Sequence, residues 1–140
     1  MITVPFAIRR VAYDANTFIR NDTALGGLVG TDGEHLVLQF RETRKRSQGG
    51  LPLDEGSESE LAEIRVPIAA VRRIELRKGW FRTRLMIAAA DLRAFEPLRA
   101  WLKGSELILS IPRAERTDAA DLASSVELAL STRLLGPDGV

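Results

Sequence analysis

Apolar and polar residues alternate with a period of two through most of the chain, which is the pattern of strands with one buried face. Residues typical of turns, such as Gly, Asp, Asn and Pro, separate the alternating runs. The pattern predicts seven strands, at residues 3–11, 24–30, 35–41, 61–66, 71–78, 81–89 and 105–112.

Four of these strands are predicted to form two hairpins. Asp32-Gly33 lies between two apolar runs and supplies the positive φ angles that a tight hairpin turn needs. The strand after this turn would bury Leu36, Leu38 and Phe40 on one face. Gly79 allows the chain to reverse between the strands at 71–78 and 81–89, which predicts the second hairpin.

A helix is predicted near the end of the sequence. Apolar residues recur at helical spacing over residues 117–134, which indicates an amphipathic helix with one apolar stripe. The stripe consists of Ala119, Leu122, Ala123, Val126, Ala129, Leu130 and Leu134. Since a lone helix cannot bury this stripe, we expect the preceding strands to cover it.

Three segments lack a clear pattern and are predicted to be connections. Residues 12–22 are rich in Asp and Asn. Residues 43–59 combine charged residues with Ser and Gly, and we expect a mobile loop there. Residues 92–102 have roughly helical spacing, but Pro97 would break a helix, which favours a packed irregular connection with one helical turn.

The order of the elements predicts the fold class. Strands followed by one helix are typical of a mainly-β domain, here a seven-stranded antiparallel sandwich or open barrel closed by one C-terminal α-helix. A length of 140 residues fits a single domain at 1–135 with a short tail at 136–140.

Two local motifs resemble a known superfamily. The run from Gly27 to Gly33, followed by Leu36-Val37-Leu38, and the strand-turn-strand junction from Val66 to Ile74 are similar to segments of the pleckstrin-homology-like (PH-like) superfamily. This superfamily includes the lipid-associated GRAM domains and the bacterial pleckstrin-homology domains. The resemblance spans roughly residues 3–134 and implies a PH-like fold and a bacterial origin. Its phosphoinositide-binding members carry Lys and Arg around the first hairpin, whereas residues 24–39 contain neither.

Composition narrows the classes of function. The chain has no cysteine and one histidine, which excludes disulfides, thiolate metal sites and a histidine metal cluster. A net charge of +1 argues against bulk capture of nucleic acid. No export signal and no apolar run of membrane-spanning length is evident, so we expect a cytoplasmic protein.

No set of residues in the sequence indicates a reaction centre. His35 is the only histidine, and the strand pattern turns it away from the core. No nucleophile, base or metal-ligand set converges elsewhere. We therefore expect no catalytic activity, no cofactor and no small-molecule substrate.

The second hairpin concentrates positive charge around two aromatic residues. The set comprises Arg72, Arg73, Arg77, Lys78, Trp80, Phe81, Arg82 and Arg84, and Glu75 is the one acid within it. Rings at the headgroup level beside cations would bind an anionic membrane. The same set could stack on single-stranded nucleic acid. Alternatively, Phe81, with or without Trp80, packs inward and the arginines form a solvated face.

Leu128 lies opposite the apolar stripe of the predicted helix, among polar residues. It is either an ordinary exposed leucine or, with an open sheet edge, a contact for a protein partner or a second copy. We hypothesise a non-catalytic binding or scaffolding domain that acts in protein interaction, assembly or self-association. The alternative is a peripheral module at the inner membrane face that binds anionic lipid through residues 72–84, and nucleic acid is the less favoured partner.

Overall fold

The computed structural model describes residues 2–135 of the chain. Within them lie nine strands: β1 (Thr3–Asp14), β2 (Ile19–Thr31), β3 (His35–Gln48), β4 (Leu51–Pro52), β5 (Ser57–Glu58), β6 (Ala62–Pro67), β7 (Val71–Lys78), β8 (Thr83–Ala89) and β9 (Glu106–Ile111). The helical elements are α1 (Arg116–Leu135) and the 3-10 segments Ile68–Ala70, Leu92–Trp101 and Arg113–Glu115. The predicted tail at 136–140 lies outside the described residues.

The strands form one antiparallel sheet that does not close into a barrel. Its order is β4-β3-β2-β1-β9-β8-β7, and β5 and β6 also pair with β3. The predicted class, a mainly-β antiparallel fold with a C-terminal helix, is therefore confirmed. Seven of the strands have six residues or more, and β4 and β5 have two residues each.

The C-terminal helix covers the inner face of this sheet. α1 contacts β7, β1 and β2 as well as the 3-10 segment Ile68–Ala70. Ala119, Leu122 and Val126 of the predicted stripe are fully buried. The side chain of Leu134, predicted to end the stripe, lies outside the part of the chain that is described.

The connection between β8 and β9 is more regular than the sequence analysis predicted. Leu92–Trp101 forms a 3-10 helix of ten residues that includes Pro97. Phe95, Leu98 and Trp101 recur every three residues, and all three are buried. Because a 3-10 helix has three residues per turn, this spacing places the three side chains on one face.

β1, β2 and β3 continue past the buried core as a ribbon. β1 runs to Asp14 and β2 begins at Ile19, so the connection predicted at 12–22 is reduced to a four-residue turn. β3 runs to Gln48, so the loop predicted at 43–59 is wrong for its first six residues. Water reaches both faces of this ribbon, which explains its polar side chains. Hydrogen bonds between the paired backbones stabilise it, because it has no buried apolar face.

The predicted turn at Asp32-Gly33 is confirmed. Gly33 has a φ of 94°, a conformation that favours glycine. The Asp32 carboxylate accepts hydrogen bonds from the backbone N–H groups of Glu34 at 2.9 Å and His35 at 2.7 Å. These bonds hold the pKa of Asp32 below its ordinary value. The ionised carboxylate therefore stabilises the turn at neutral pH, and this stabilisation is lost when the pH falls through the lowered pKa.

Gly27 lies where the first three strands pack most closely. The register places it opposite Phe6 of β1 and Phe40 of β3, both of which are buried. A Cβ atom at Gly27 would overlap the backbone carbonyl of Gln39. At the neighbouring Gly26 a Cβ atom would come no closer than 3.8 Å to the Phe6 carbonyl oxygen, so that site has room for one.

We predict that Gly27→Ala lowers the free energy of unfolding by about 2–3 kcal/mol, because the strands must separate to admit the methyl group. Urea denaturation measures this change. The matched control Gly26→Ala should alter the same free energy by less than about 1 kcal/mol. Equal effects of the two substitutions would contradict the close approach at Gly27.

Candidate functional site

The β7–β8 hairpin ends in a tight turn at residues 79–82. The Gly79 N–H donates a hydrogen bond to the Arg82 carbonyl at 2.8 Å. A Cβ atom at Gly79 would lie 2.7 Å from that carbonyl oxygen, so this close approach requires glycine. The turn therefore holds Trp80 and Phe81 at the apex of the hairpin.

The two aromatic side chains of the apex lie in solvent. Trp80 is 88% exposed and Phe81 is 91% exposed, the highest fractions among the exposed large apolar residues of the described part of the chain. The alternative in which these rings pack inward is therefore wrong. Phe95 and Trp101, which would have received them, are buried in the core without them.

Four exposed cations accompany these rings, and the six residues together are called the basic tip. It consists of Arg77, Lys78, Trp80, Phe81, Arg82 and Arg84. Arg77 lies directly opposite Arg84 in the register. Directly opposite residues share one face of a sheet, where like charges repel.

Little negative charge offsets the cations of the basic tip. Glu75 Oε1 lies 3.6 Å from Arg77 Nε. Within residues 2–135, no carboxylate oxygen lies within 4.0 Å of the charged nitrogens of Lys78, Arg82 or Arg84. The tip borders a shallow cleft of about 390 Å³, lined by Arg77, Lys78, Gly79, Phe81, Arg82 and Arg84.

Two of the predicted site residues lie apart from the basic tip. Arg72 and Arg73 are at the start of β7, about 20 Å along the strand from Gly79 at the usual rise per residue. Arg73 Nη2 lies 3.6 Å from Glu106 Oε1 on β9. The structure therefore brings together six of the eight predicted residues and leaves these two elsewhere.

Leu128 lies on the exposed side of α1 and is 69% exposed. It borders a groove of about 900 Å³ between the end of α1 and the turn that precedes β3. Ile68 and Ala129 supply the rest of its apolar lining, and Glu34 and Arg133 lie at its polar parts. Leu128 is therefore accessible to a partner.

His35 takes part in a small polar network beside the β2–β3 turn. Its Nδ1 atom lies 3.3 Å from Asp32 Oδ2, and Arg65 Nη1 lies 3.4 Å from the same oxygen. Across residues 2–135, no group of three His, Cys, Asp or Glu side chains could hold a metal ion. The Asp32 carboxylate thus links the turn to β6, and the His35 side chain contacts the same oxygen.

The sequence analysis missed a second group of exposed apolar residues, which lies on the ribbon. Its members are Val11, Tyr13, Phe18 and Leu51, each more than half exposed. Val11 and Tyr13 are two residues apart, as on one face of a strand. The charged residues on either side of them obscure this apolar alternation in the sequence. Phe18, in the turn, has a φ of 58°, which is unusual for a residue other than glycine.

The comparisons with known proteins found no match. No family model, no curated protein and no solved structure matches this chain. The PH-like resemblance therefore stays a prediction. Among the described helices, none is long and apolar enough to cross a membrane.

We predict that acrylamide quenches the fluorescence of Trp80 strongly and that of Trp101 weakly, because the first is exposed and the second is 7% exposed. The variant Trp80→Phe should lose the readily quenched fraction of the emission, and Trp101→Phe should retain it. Trp80→Phe should also leave the free energy of unfolding unchanged within about 0.5 kcal/mol. Similar quenching of both single-tryptophan variants would contradict the exposed apex.

Proposed function

We propose that this protein is a non-catalytic binding module, PH-like in fold, that docks on anionic membrane surfaces through the basic tip. One observation carries the proposal: Trp80 and Phe81 protrude from a hairpin apex, and three of the four cations of the basic tip have no carboxylate partner among the described residues. Exposed apolar patches that polar residues surround are typical of protein-binding or membrane-binding sites.

The composition of the basic tip matches the two physical requirements of such docking. Trp and Phe rings at the interface remove apolar area from water while the indole N–H stays near polar headgroups. Each Lys or Arg near an anionic surface contributes about 1 kcal/mol. Neither ring burial nor charge attraction alone gives firm attachment to a membrane. The basic tip combines the two at one place.

The shape of the basic tip favours a membrane over single-stranded nucleic acid. Proteins that bind single strands stack successive bases on rings spread along a charged groove. Here the two rings are consecutive residues of one turn, and the cleft beside them is shallow. Since anionic lipid is concentrated in the cytoplasmic leaflet, the proposed location is the cytoplasm, at the inner membrane face.

Protein interaction or assembly is the second candidate function, and a separate observation favours it. Leu128 is an exposed apolar residue beside a groove with further apolar lining. A partner that buried this side chain would gain about 1.5–3 kcal/mol at most. One residue of this size supports a contact but does not specify the partner.

Vesicle co-sedimentation tests the membrane proposal. The intact protein should bind phosphatidylcholine vesicles that contain phosphatidylglycerol and should release as salt is raised. Lys78→Glu should weaken binding about 30-fold, because one favourable charge is replaced by an unfavourable one, a change of about 2 kcal/mol. Trp80→Ala should weaken it about tenfold, because even partial burial of an indole is worth ~1–2 kcal/mol.

Two matched variants serve as controls for this experiment. Lys103→Glu makes the same change of charge at an exposed position outside the basic tip, and Phe18→Ala removes an exposed aromatic ring from another turn. Both should bind as the unsubstituted protein does. If the intact protein does not bind anionic vesicles, or if Lys103→Glu weakens binding as much as Lys78→Glu, the proposal is wrong.

A further inference from the structure

β1 is paired along its whole length on one side only. β2 pairs with every residue from Thr3 to Asp14. On the other side, β9 pairs with β1 at Ala7 opposite Ser110. Among the described residues, no strand continues this pairing along 8–14, so that stretch is an open edge with one row of backbone groups free to pair.

The open edge has two faces of different character. Arg9, Val11 and Tyr13 lie on one face of the strand. The residues between and after them, Arg10, Ala12 and Asp14, lie on the other face. Val11 is 51% exposed and Tyr13 is 61% exposed. An exposed edge with apolar side chains is a template for another strand.

The sequence of this edge complements itself in one register. Two copies related by a two-fold axis at Ala12 would pair antiparallel, with Val11 of each copy opposite Tyr13 of the other. The same register sets Arg10 opposite Asp14 of the second copy, and symmetry repeats this contact. Both the apolar pair and the charged pair therefore occur twice.

The registers centred closer to the start of β1 lack this complementarity. An axis at Arg10 sets that arginine against its own copy, and like charges directly opposite are destabilising. An axis at Val11 sets Asp14 opposite Ile8 and Arg9 opposite Tyr13. A register shifted by one residue would place the Val11 face of one copy beside the Arg10 face of the other. Such a pair cannot have two-fold symmetry.

Arg10 and Asp14 differ in how far contacts within the chain hold their side chains. The Arg10 side chain donates a hydrogen bond to the Ala100 carbonyl and lies 4.8 Å from the Trp101 ring centroid, which limits its freedom. Asp14 Oδ1 accepts a hydrogen bond from the Asn16 N–H at 2.9 Å. The second carboxylate oxygen of Asp14 has no hydrogen bond to the described residues.

We propose that two copies of this chain associate through the open edge of β1, antiparallel and centred on Ala12, to form one continuous sheet. The stretch in which β1 pairs with β1, residues 10–14, is about 17 Å long, which buries less area than a stable dimer of standard size. The association is therefore weak and reversible, with a dissociation constant between about 1 μM and about 1 mM. It does not depend on the basic tip, because β9 and β8 separate β1 from β7 in the sheet.

Cysteine cross-linking tests the register directly, since the chain has no cysteine of its own. Oxidised Ala12→Cys should form a disulfide-linked dimer, because residue 12 of each copy lies on the axis. The matched control is Arg9→Cys on the same strand. Its two copies would be about 20 Å apart, so it should stay monomeric. Equal cross-linking at both positions, or faster cross-linking at position 9, would overturn the proposed register.

Sedimentation velocity over a range of protein concentrations tests the charge complementarity. Asp14→Arg should lower the association constant at least tenfold, because two like pairs replace two unlike pairs. Asp14→Asn should cause a smaller loss, and the matched control Glu60→Arg should cause none. Circular dichroism of each variant establishes that it is folded.

Two results of the sedimentation experiment would overturn the proposal. One is a monomer at all concentrations up to about 1 mM, where a dimer of this affinity would be populated. The other is a dimer that persists in Asp14→Arg but is lost in Leu128→Asp, which would assign self-association to the exposed side of α1. Vesicle binding is measured separately, so the membrane proposal can fail while this one stands.

Discussion

The fold depends on covering the inner face of a sheet that does not close on itself. Strand pairing brings residues such as Val29 and Leu38 to that face, where they are fully buried. β7 is the last strand in the sheet order, no further strand of the described residues pairs with it, and α1 packs against it. Leu122 and Val126 of the helix complete the core. Burial of this single apolar face is the main favourable term, so helix and sheet stabilise each other.

The strands extend beyond what the core needs, and the basic tip and the open edge of β1 lie on these extensions. At the basic tip, β7 and β8 carry Trp80 past the last buried residue of the hairpin, Thr83. On the ribbon, β1 continues past Ala7, and among the described residues only β2 pairs with it there. Backbone pairing keeps such extensions ordered while their side chains stay in water. A rigid extension can therefore present side chains to a partner at little entropic cost on binding.

Local features were predictable from the sequence because a few neighbouring residues decide them. The Asp32-Gly33 turn follows from backbone geometry, and the buried face of β3 follows from alternation. The 3-10 helix was not recognised, since Phe95, Leu98 and Trp101 repeat at three residues, close enough to 3.6 to be taken for a broken α-helix. The ribbon was missed because a strand exposed on both faces has no apolar alternation.

The sequence by itself determined the mainly-β class, the hairpins and the clustering of charge around Trp80. Only the tertiary structure decided that this ring is exposed, that Arg72 lies away from it and that residues 8–14 form an open edge. The physical reason is that exposure and edge pairing depend on which other elements cover a surface. Those elements are distant in sequence, and their positions follow from packing of the whole sheet rather than from any local pattern.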